Sequence, residues 1–419
     1  MQKKVKLGRF KKRTTCRLCN SRHLVKILDL GYMPHAGNYL TEAELGREYY
    51  YPLRIYFCRK CGLVQNLDII SPETLFGEYH YLSSISLSGH FQKYAKEVKK
   101  RFLNKNAFVV EIGSNDGVLL SPLKKMGINV LGIDPAKNIA MVAEKNGIKT
   151  IVDYFGNKTA VKILKQYGKA DMVLANNVLA HIDDMNNVFK GIVKILKPQG
   201  VLVFEVHYLP DLLNKMQYDF FYSEHLSYYS LCSLKPFLNK YGLEIFDARR
   251  IPIHSGSIRV YAQFKKSGSE NANKRVAEMI KRENKSKTLK EGYLMKFSTK
   301  IKKHKQEINK LLLNIKKQKL RIAGYGAGGR ANTLLNYCEI DKDILDYIVD
   351  DSPERQGKYT PGTYIPIVSP EVIKKDNIKY LLLLAWNYKN IIIEKERDYL
   401  NKGGMFIVPL PKINIINGK

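Results

Sequence analysis

The stretch Phe108-Val109-Val110-Glu111-Ile112-Gly113-Ser114-Asn115-Asp116-Gly117 constrains this chain more than any other. Four apolar residues in the first five read as a short buried strand, with one acid, Glu111, near its end. Gly113 and Gly117 let the backbone turn tightly and approach a ligand closely. Residues 118–126 follow with helical spacing. Strand, glycine-containing turn and helix open a nucleotide-binding α/β sheet. Residues 129–134 form a second strand ending in Asp134, where an acid accepts hydrogen bonds from ribose hydroxyls. Residues 150–153 form a third, ending in Asp153. Residues 170–177 form a fourth, ending in Asn176 and Asn177 and running on to His181. A fifth, 200–206, follows the turn 197–200. Helix-like segments separate the strands, so the sheet is expected to be parallel with both faces covered.

The spacing Gly113-x-Asn115-x-Gly117 is not the dinucleotide fingerprint Gly-x-Gly-x-x-Gly. It resembles the S-adenosylmethionine (SAM) loop of class I methyltransferases. That resemblance implies SAM as cofactor, held by Glu111, Gly113, Asn115, Gly117, Asp134, Asp153, Asn176 and Asn177.

Two Cys-x-x-Cys pairs, Cys16/Cys19 and Cys58/Cys61, stand 38 residues apart. Each places two thiolates on one knuckle, and together they make a closed tetrahedral set suited to a structural zinc with no open position. Thiols used this way fit a reducing compartment. With no cleavable signal pattern and no apolar run near 18 residues, a cytoplasmic protein without a membrane span is expected. Of the net charge of +31, +7 lies in residues 1–15 and +13 in residues 265–320. The sheets themselves are much closer to balance. The charge reads as solvated faces, and no nucleic-acid partner is expected.

Residues 268–320 carry Phe297, Ile301, Ile308, Leu312 and Ile315 near helical spacing, predicting one or two amphipathic helices. A second α/β unit opens at Arg321, where Gly324-x-Gly326-x-x-Gly329 does match a dinucleotide loop and Asp350 follows a strand. The phrases 332–338 and 385–387 are too polar for packing alone and read as cleft lining.

The parts in order resemble the sugar C-methyltransferases of deoxysugar biosynthesis, which methylate C-3 of nucleotide-linked 4-keto sugars. The pieces that carry this are Tyr222-Ser223-Glu224-His225-Leu226-Ser227-Tyr228-Tyr229, residues 332–338 and residues 359–367. The chain departs from the family at 328–331, where a Pro- or Ser- and Lys-containing turn is expected, and at Ser255, where a Gly is expected. The resemblance implies base-catalysed enolate formation and in-line methyl transfer. His225 would be the base, flanked by Tyr222 and Glu224, with His181 and Tyr79 also at the acceptor. Tyr81, Ser83, His254, Ser257, Tyr325, Arg330, Asn332 and Asn387 would bind the nucleotide-linked keto sugar. A zinc-ribbon RNA methyltransferase and an NAD-dependent oxidoreductase working through the C-terminal unit are the alternatives. The expected α/β architecture is a basic disordered tail (1–15), a four-cysteine zinc-binding domain (16–75) and a class I, Rossmann-like SAM methyltransferase domain (76–265). A helical basic linker (266–320) and a second Rossmann-like domain (321–419) complete a monomer.

Overall fold

The computed structural model describes residues 5–77 and 82–418, so Tyr79 and Tyr81 lie outside the described residues. The first sheet is antiparallel: β1 (Leu24–Pro34) pairs with β2 (Tyr50–Cys58), and β2 with β3 (Val64–Asn66). The basic segment 5–15, expected to be a disordered tail, is instead ordered beside it. Lys11–Lys12 pairs with Asp68–Ile69, Leu7 bridges Tyr50, and Arg13 meets Asp183 at 3.0 Å. Ladder hydrogen bonds use backbone groups, so a lysine-rich segment serves as an edge strand despite its composition.

After the helix α1 (Ser83–Phe102) come β4 (Phe108–Ile112), β5 (Asn129–Ile133), β6 (Thr150–Ile151), β7 (Ala170–Asn176) and β8 (Leu196–His207). Each falls on an expected strand. The turn expected at 197–200 is a bulge inside β8, whose ladder with β7 shifts register between Leu196 and Val201. A short strand, β9 (Ser227–Tyr228), returns to the first sheet and pairs with β3. The helix α2 (Leu231–Asn239) then leads to β10 (Leu243–Ile251) and β11 (Ser257–Phe264).

The central sheet has the order β10-β11-β8-β7-β4-β5-β6, parallel from β8 to β6, with β11 antiparallel to both its neighbours. Val109, Val110, Ile112, Val173, Leu174 and Ala175 are fully buried, as a sheet covered on both faces requires. Chain direction around the sheet reverses between β4 and β7. Ligands bind beyond the carboxyl ends of strands at such a reversal.

The Lys-rich stretch forms α3 (Lys274–Lys285) and α4 (Glu291–Lys317). Val276 and Met279 of α3 join the core of the central sheet. The 27 residues of α4 span about 40 Å at 1.5 Å per residue. Its stripe Leu294, Phe297, Ile301, Ile308, Leu312 and Ile315 is buried in one continuous core. That core also takes Ile27, Leu53 and Ile55 of the first sheet and Ile322 and Leu381 of the last.

The last sheet is built from β12 (Ile322–Tyr325), α5 (Gly329–Cys338), β13 (Ile348–Val349), β14 (Ile367–Val368), β15 (Tyr380–Leu383), β16 (Met405–Val408) and β17 (Asn414–Ile416). Its order is β14-β13-β12-β15-β16-β17, with only β17 antiparallel. Among the described residues no helix is long and apolar enough to cross a membrane.

One buried carboxylate ties α3 to this frame. Glu283 accepts from the Tyr208 hydroxyl at 2.8 Å and from the N–H groups of Leu231 and Cys232 at 2.8 and 2.7 Å, capping the N-terminus of α2. Removing it orphans two buried backbone donors. Glu283→Ala is therefore expected to cost on the order of 2–4 kcal/mol, read as a lower urea midpoint at unchanged slope.

Candidate active site

Loops at the carboxyl ends of β4, β5 and β7, the segment 35–39 that follows β1, and the β12–α5 turn line one cavity of about 1370 Å³. Its first half is built by the β4 turn. Gly113, Asn115 and Gly117 have φ of 66°, 49° and 78°, the left-handed region. A Cβ on Gly113 would sit 2.7 Å from Val178, and one on Gly117 2.8 Å from Ile148. Conformation and close packing both exclude side chains there.

Glu111, Gly113, Asn115, Asp134, Asp153, Asn176 and Asn177 line the cavity, while Gly117 packs behind it. Asp134 braces the turn by accepting from the N–H groups of Asn115 (2.9 Å) and Ala136 (3.0 Å). Its oxygens retain acceptor capacity for a ribose. Asp153 accepts from the Thr159 hydroxyl at 2.9 Å. Glu111 is buried, with Oε1 taking a 3.0 Å bond from Asn176 and Oε2 having no partner among the described residues. Burial pushes its carboxyl up to about 8; the Asn176 bond opposes this, and Asp134 and Glu205 add to it.

The other half holds four imidazoles in a row. Ring centroids lie 5.0 Å apart for His181 and His225, 4.8 Å for His225 and His207, and 5.5 Å for His207 and His254. Burial lowers all four below the usual range. His225 is held further down by His181, His207 by His225, and His254, at about 4, by Arg330. His225 is gripped by the Phe220 ring (4.8 Å) and the Tyr222 ring (4.1 Å). Its Nδ1–H donates to the Phe220 carbonyl at 3.2 Å, leaving Nε2 as the basic nitrogen.

Sequence adjacency leaves open whether Tyr222 or Glu224 orients His225; the ring's hydrogen bond goes to the Phe220 carbonyl, with the Tyr222 ring packed against it. The Glu224 carboxylate lies 2.9 Å from His35 Nε2, and the Glu224 carbonyl accepts from His181 Nδ1 at 3.0 Å. Burial raises the Glu224 carboxyl, but His35 and His181 outweigh it and hold the group below the usual range.

Ser83, His254, Tyr325, Arg330 and Asn387 also line the cavity. Ser257 and Asn332 are buried behind it, Ser257 donating to the Ile253 carbonyl at 3.2 Å and Asn332 to the Ala36 carbonyl. The hydroxyl of Tyr325 donates to Glu396 at 3.0 Å. Ser255 adopts φ of 67°, a conformation that favours the Gly expected there. Asp350, the acid a dinucleotide would need, already accepts from the N–H groups of Ala327 and Ser352 and pairs with Arg355. Sequence reasoning missed His35, His207, Asp219 and Arg17, none of which stands in a motif that signals its role. Arg17, fully buried inside the first knuckle, reaches the Leu226 carbonyl at 3.2 Å and Asp183 at 3.1 Å.

The thiols of Cys16, Cys19, Cys58 and Cys61 all lie within 4.8 Å of one another, with Cys16–Cys61 at 3.5 Å and Cys19–Cys58 at 3.6 Å.

Three family descriptions match in chain order: a zinc binding domain over 16–76, a methyltransferase domain over 87–248, and a C-methyltransferase C-terminal domain over 252–411. C-methyltransferase NovU of Streptomyces niveus is 34% identical over 408 residues, 96% of this chain and 97% of that protein. The chain belongs to the C-methyltransferase family. A ubiquinone biosynthesis O-methyltransferase of Bradyrhizobium diazoefficiens is 32% identical over 97 residues, 23% of this chain and 38% of that protein. Among solved structures, magnesium protoporphyrin IX methyltransferase from Synechocystis PCC 6803 with bound SAM is 15% identical. It covers 42% of this chain and 79% of its own, with a TM-score of 0.32.

This C-methyltransferase uses SAM and carries a structural zinc. The residues present fit both groups. Four thiolates about 2.3 Å from a tetrahedral zinc stand about 3.8 Å apart, close to the spacing of these four. The partnerless Glu111 Oε2, buried beside the glycine turn, suits a cationic ammonium such as that of SAM.

Elemental analysis is expected to return one zinc per chain, and Cys58→Ser to lose the metal together with the near-ultraviolet dichroism of the first sheet. Glu111 gives a pH signature. Its folded value of about 8 lies above the unfolded carboxyl near ~4.3, so the folded ligand-free enzyme binds the extra proton between them. The contribution is fully present below the unfolded value and is lost as pH rises through about 8. Glu111→Gln is expected to flatten the fall in urea midpoint between pH ~5 and ~8.5; a slope equal to the parent's would place the charge elsewhere.

Proposed function

We propose that this enzyme methylates C-3 of a nucleotide-linked 4-keto-deoxy sugar, with His225 as the base. The observation that carries the reading is a neutral imidazole of fixed tautomer inside a cavity with room for two ligands. A single-ligand pocket is typically ~300–1,000 Å³, and this cavity of about 1370 Å³ exceeds that. Its C-terminal side presents Arg355, Lys358 and Lys395 beside Asp350, Asp351 and Glu354; Arg355 pairs with Asp350 and Lys395 with Asp351, which leaves Lys358 as the cation placed to meet an anionic group.

A proton on the carbon beside a ketone is acidic enough for an enzyme base to remove. His225 Nε2 takes the C-3 proton, the C–H pair becomes the C-3/C-4 enolate, and negative charge falls on the C-4 oxygen. SAM, when bound, supplies an electrophilic sulfonium methyl to that carbon. His225 is uncharged and ready to accept at neutral pH, but its lowered basicity gives little driving force. Positioning must therefore carry the rate. The enolate oxygen needs a donor. His181 spends its Nδ1–H on the Glu224 carbonyl, so in this tautomer its Nε2 accepts. Tyr222, whose ring centroid lies 4.1 Å from that of His225, is the described candidate with a hydroxyl suited to the role.

His225→Asn is expected to leave SAM affinity and zinc content unchanged and to slow methylation by roughly 10²-fold or more. It should also stop enzyme-catalysed exchange of the C-3 proton into deuterated water. Near-normal turnover and exchange in that variant would move the base to another residue, with His181 Nε2 next in line.

A further inference from the structure

His225 stands on a stretch with little regular structure of its own. Between the short helix Leu209–Asn214 and β9 the chain makes one three-residue helical turn, Tyr218–Phe220. That turn supplies both the carbonyl that fixes the His225 tautomer and the Phe220 ring stacked on it. The same ring packs on His207 at 3.9 Å between centroids.

What holds the turn comes largely from the C-terminal part of the chain. Asp219 is fully buried, and its carboxylate takes two parallel bonds from Arg330, both 2.9 Å, and one from Trp386 Nε1 at 2.8 Å. The Arg330 guanidinium lies over the Phe220 ring (5.0 Å) and the Trp386 ring (4.8 Å) and reaches the Ser255 hydroxyl at 3.4 Å. Tyr218, on the other side of Asp219, is bonded to His304 of α4 at 3.0 Å and to Cys338 of α5 at 3.3 Å. A guanidinium forked onto a buried carboxylate and covered by two rings has little left for a substrate phosphate, although it borders the cavity.

We propose that Arg330 is a positioning residue for the methylation: with Trp386 it clamps Asp219, and so fixes the Tyr218–Phe220 turn that sets the tautomer and place of His225. The inference rests on the reading of His225 as base. The C-terminal part of the chain then acts on proton removal and not only on enclosing the acceptor.

The test compares Arg330→Gln, Arg330→Lys, Asp219→Asn, Trp386→Phe and the Arg330→Gln/Asp219→Asn pair with His225→Asn, all as full-length zinc-loaded enzyme. Readouts are kcat, KM for the sugar nucleotide, and C-3 proton exchange. Small misplacement of a catalytic group costs up to about 10²-fold. Arg330→Gln and Asp219→Asn are each expected to lower kcat and exchange together by roughly 10- to 100-fold, with KM within about threefold. The pair should be no slower than the worse single change, because both break one clamp. Arg330→Lys, which keeps the charge but loses the fork, should recover only part of the rate. Trp386→Phe removes one bond without altering charge, and its smaller parallel loss of kcat and exchange keeps the test valid if the charge variants misfold. A raised KM in Arg330→Gln with Asp219→Asn at parental kcat would show a substrate contact and overturn the inference. With His225→Asn inactive, parental kcat in the clamp variants would remove this inference alone. Near-normal exchange in His225→Asn would remove the base assignment, and this inference with it.

Discussion

The guanidinium of Arg17 is the interaction on which the arrangement depends. It sits inside the first Cys-x-x-Cys knuckle with no exposure to solvent. Burial pulls its pKa down to about 10, with Asp183 opposing, so it stays cationic at neutral pH. A buried cation is tolerated only where its partners are fixed. Here Nη1 meets Gln65 and the carbonyls of Asn66 and Leu226, and Nε lies 3.1 Å from Asp183, while Nη2 has no hydrogen-bond partner among the described residues. Leu226 follows His225 and Asp183 lies two residues beyond His181. The metal knuckle thus holds, through one side chain, both segments that present the histidines. The cysteine set is remote from the histidine row in sequence yet mechanically one step from it.

The histidine row shows a second constraint. Four imidazoles this close cannot share a charge in a desolvated space, because each proton bound repels the next. Burial and crowding together keep the four rings neutral, which preserves the basic form of each and lowers its strength. Such a site gains from close placement more than from basicity.

The strands, the glycine turn and the four-cysteine set were legible because their signals are local: apolar runs, glycines needing positive φ, and knuckle spacing. The side chains that complete the site were not. Asp219 meets Arg330 across 111 positions and Arg17 meets Leu226 across 209. No periodicity encodes such pairs. Glu224 shows the converse: adjacency in sequence does not settle contact. It is next to His225 in sequence, but its carboxylate meets His35, just beyond the end of β1. The N-terminal segment failed for a third reason: composition predicted disorder, whereas its order comes from backbone pairing and from Arg13 on the distant Asp183, neither of which composition reports.

The hairpin of β10 and β11 has a bearing on how such enzymes exchange parts. The methyltransferase match ends at residue 248 and the C-terminal match begins at 252, so the junction falls in this hairpin, within the last residues of β10. Strand β11 nevertheless lies inside the seven-stranded sheet, between β10 and β8. It also brings Arg259 within 2.6 Å of the buried Glu205. A recombination or a designed chimera cut at 252 would import a foreign strand into the seven-stranded sheet, second from its edge, along with a new counter-ion for Glu205. The boundary between the two family matches and the boundary of the folded sheet are therefore offset by one strand.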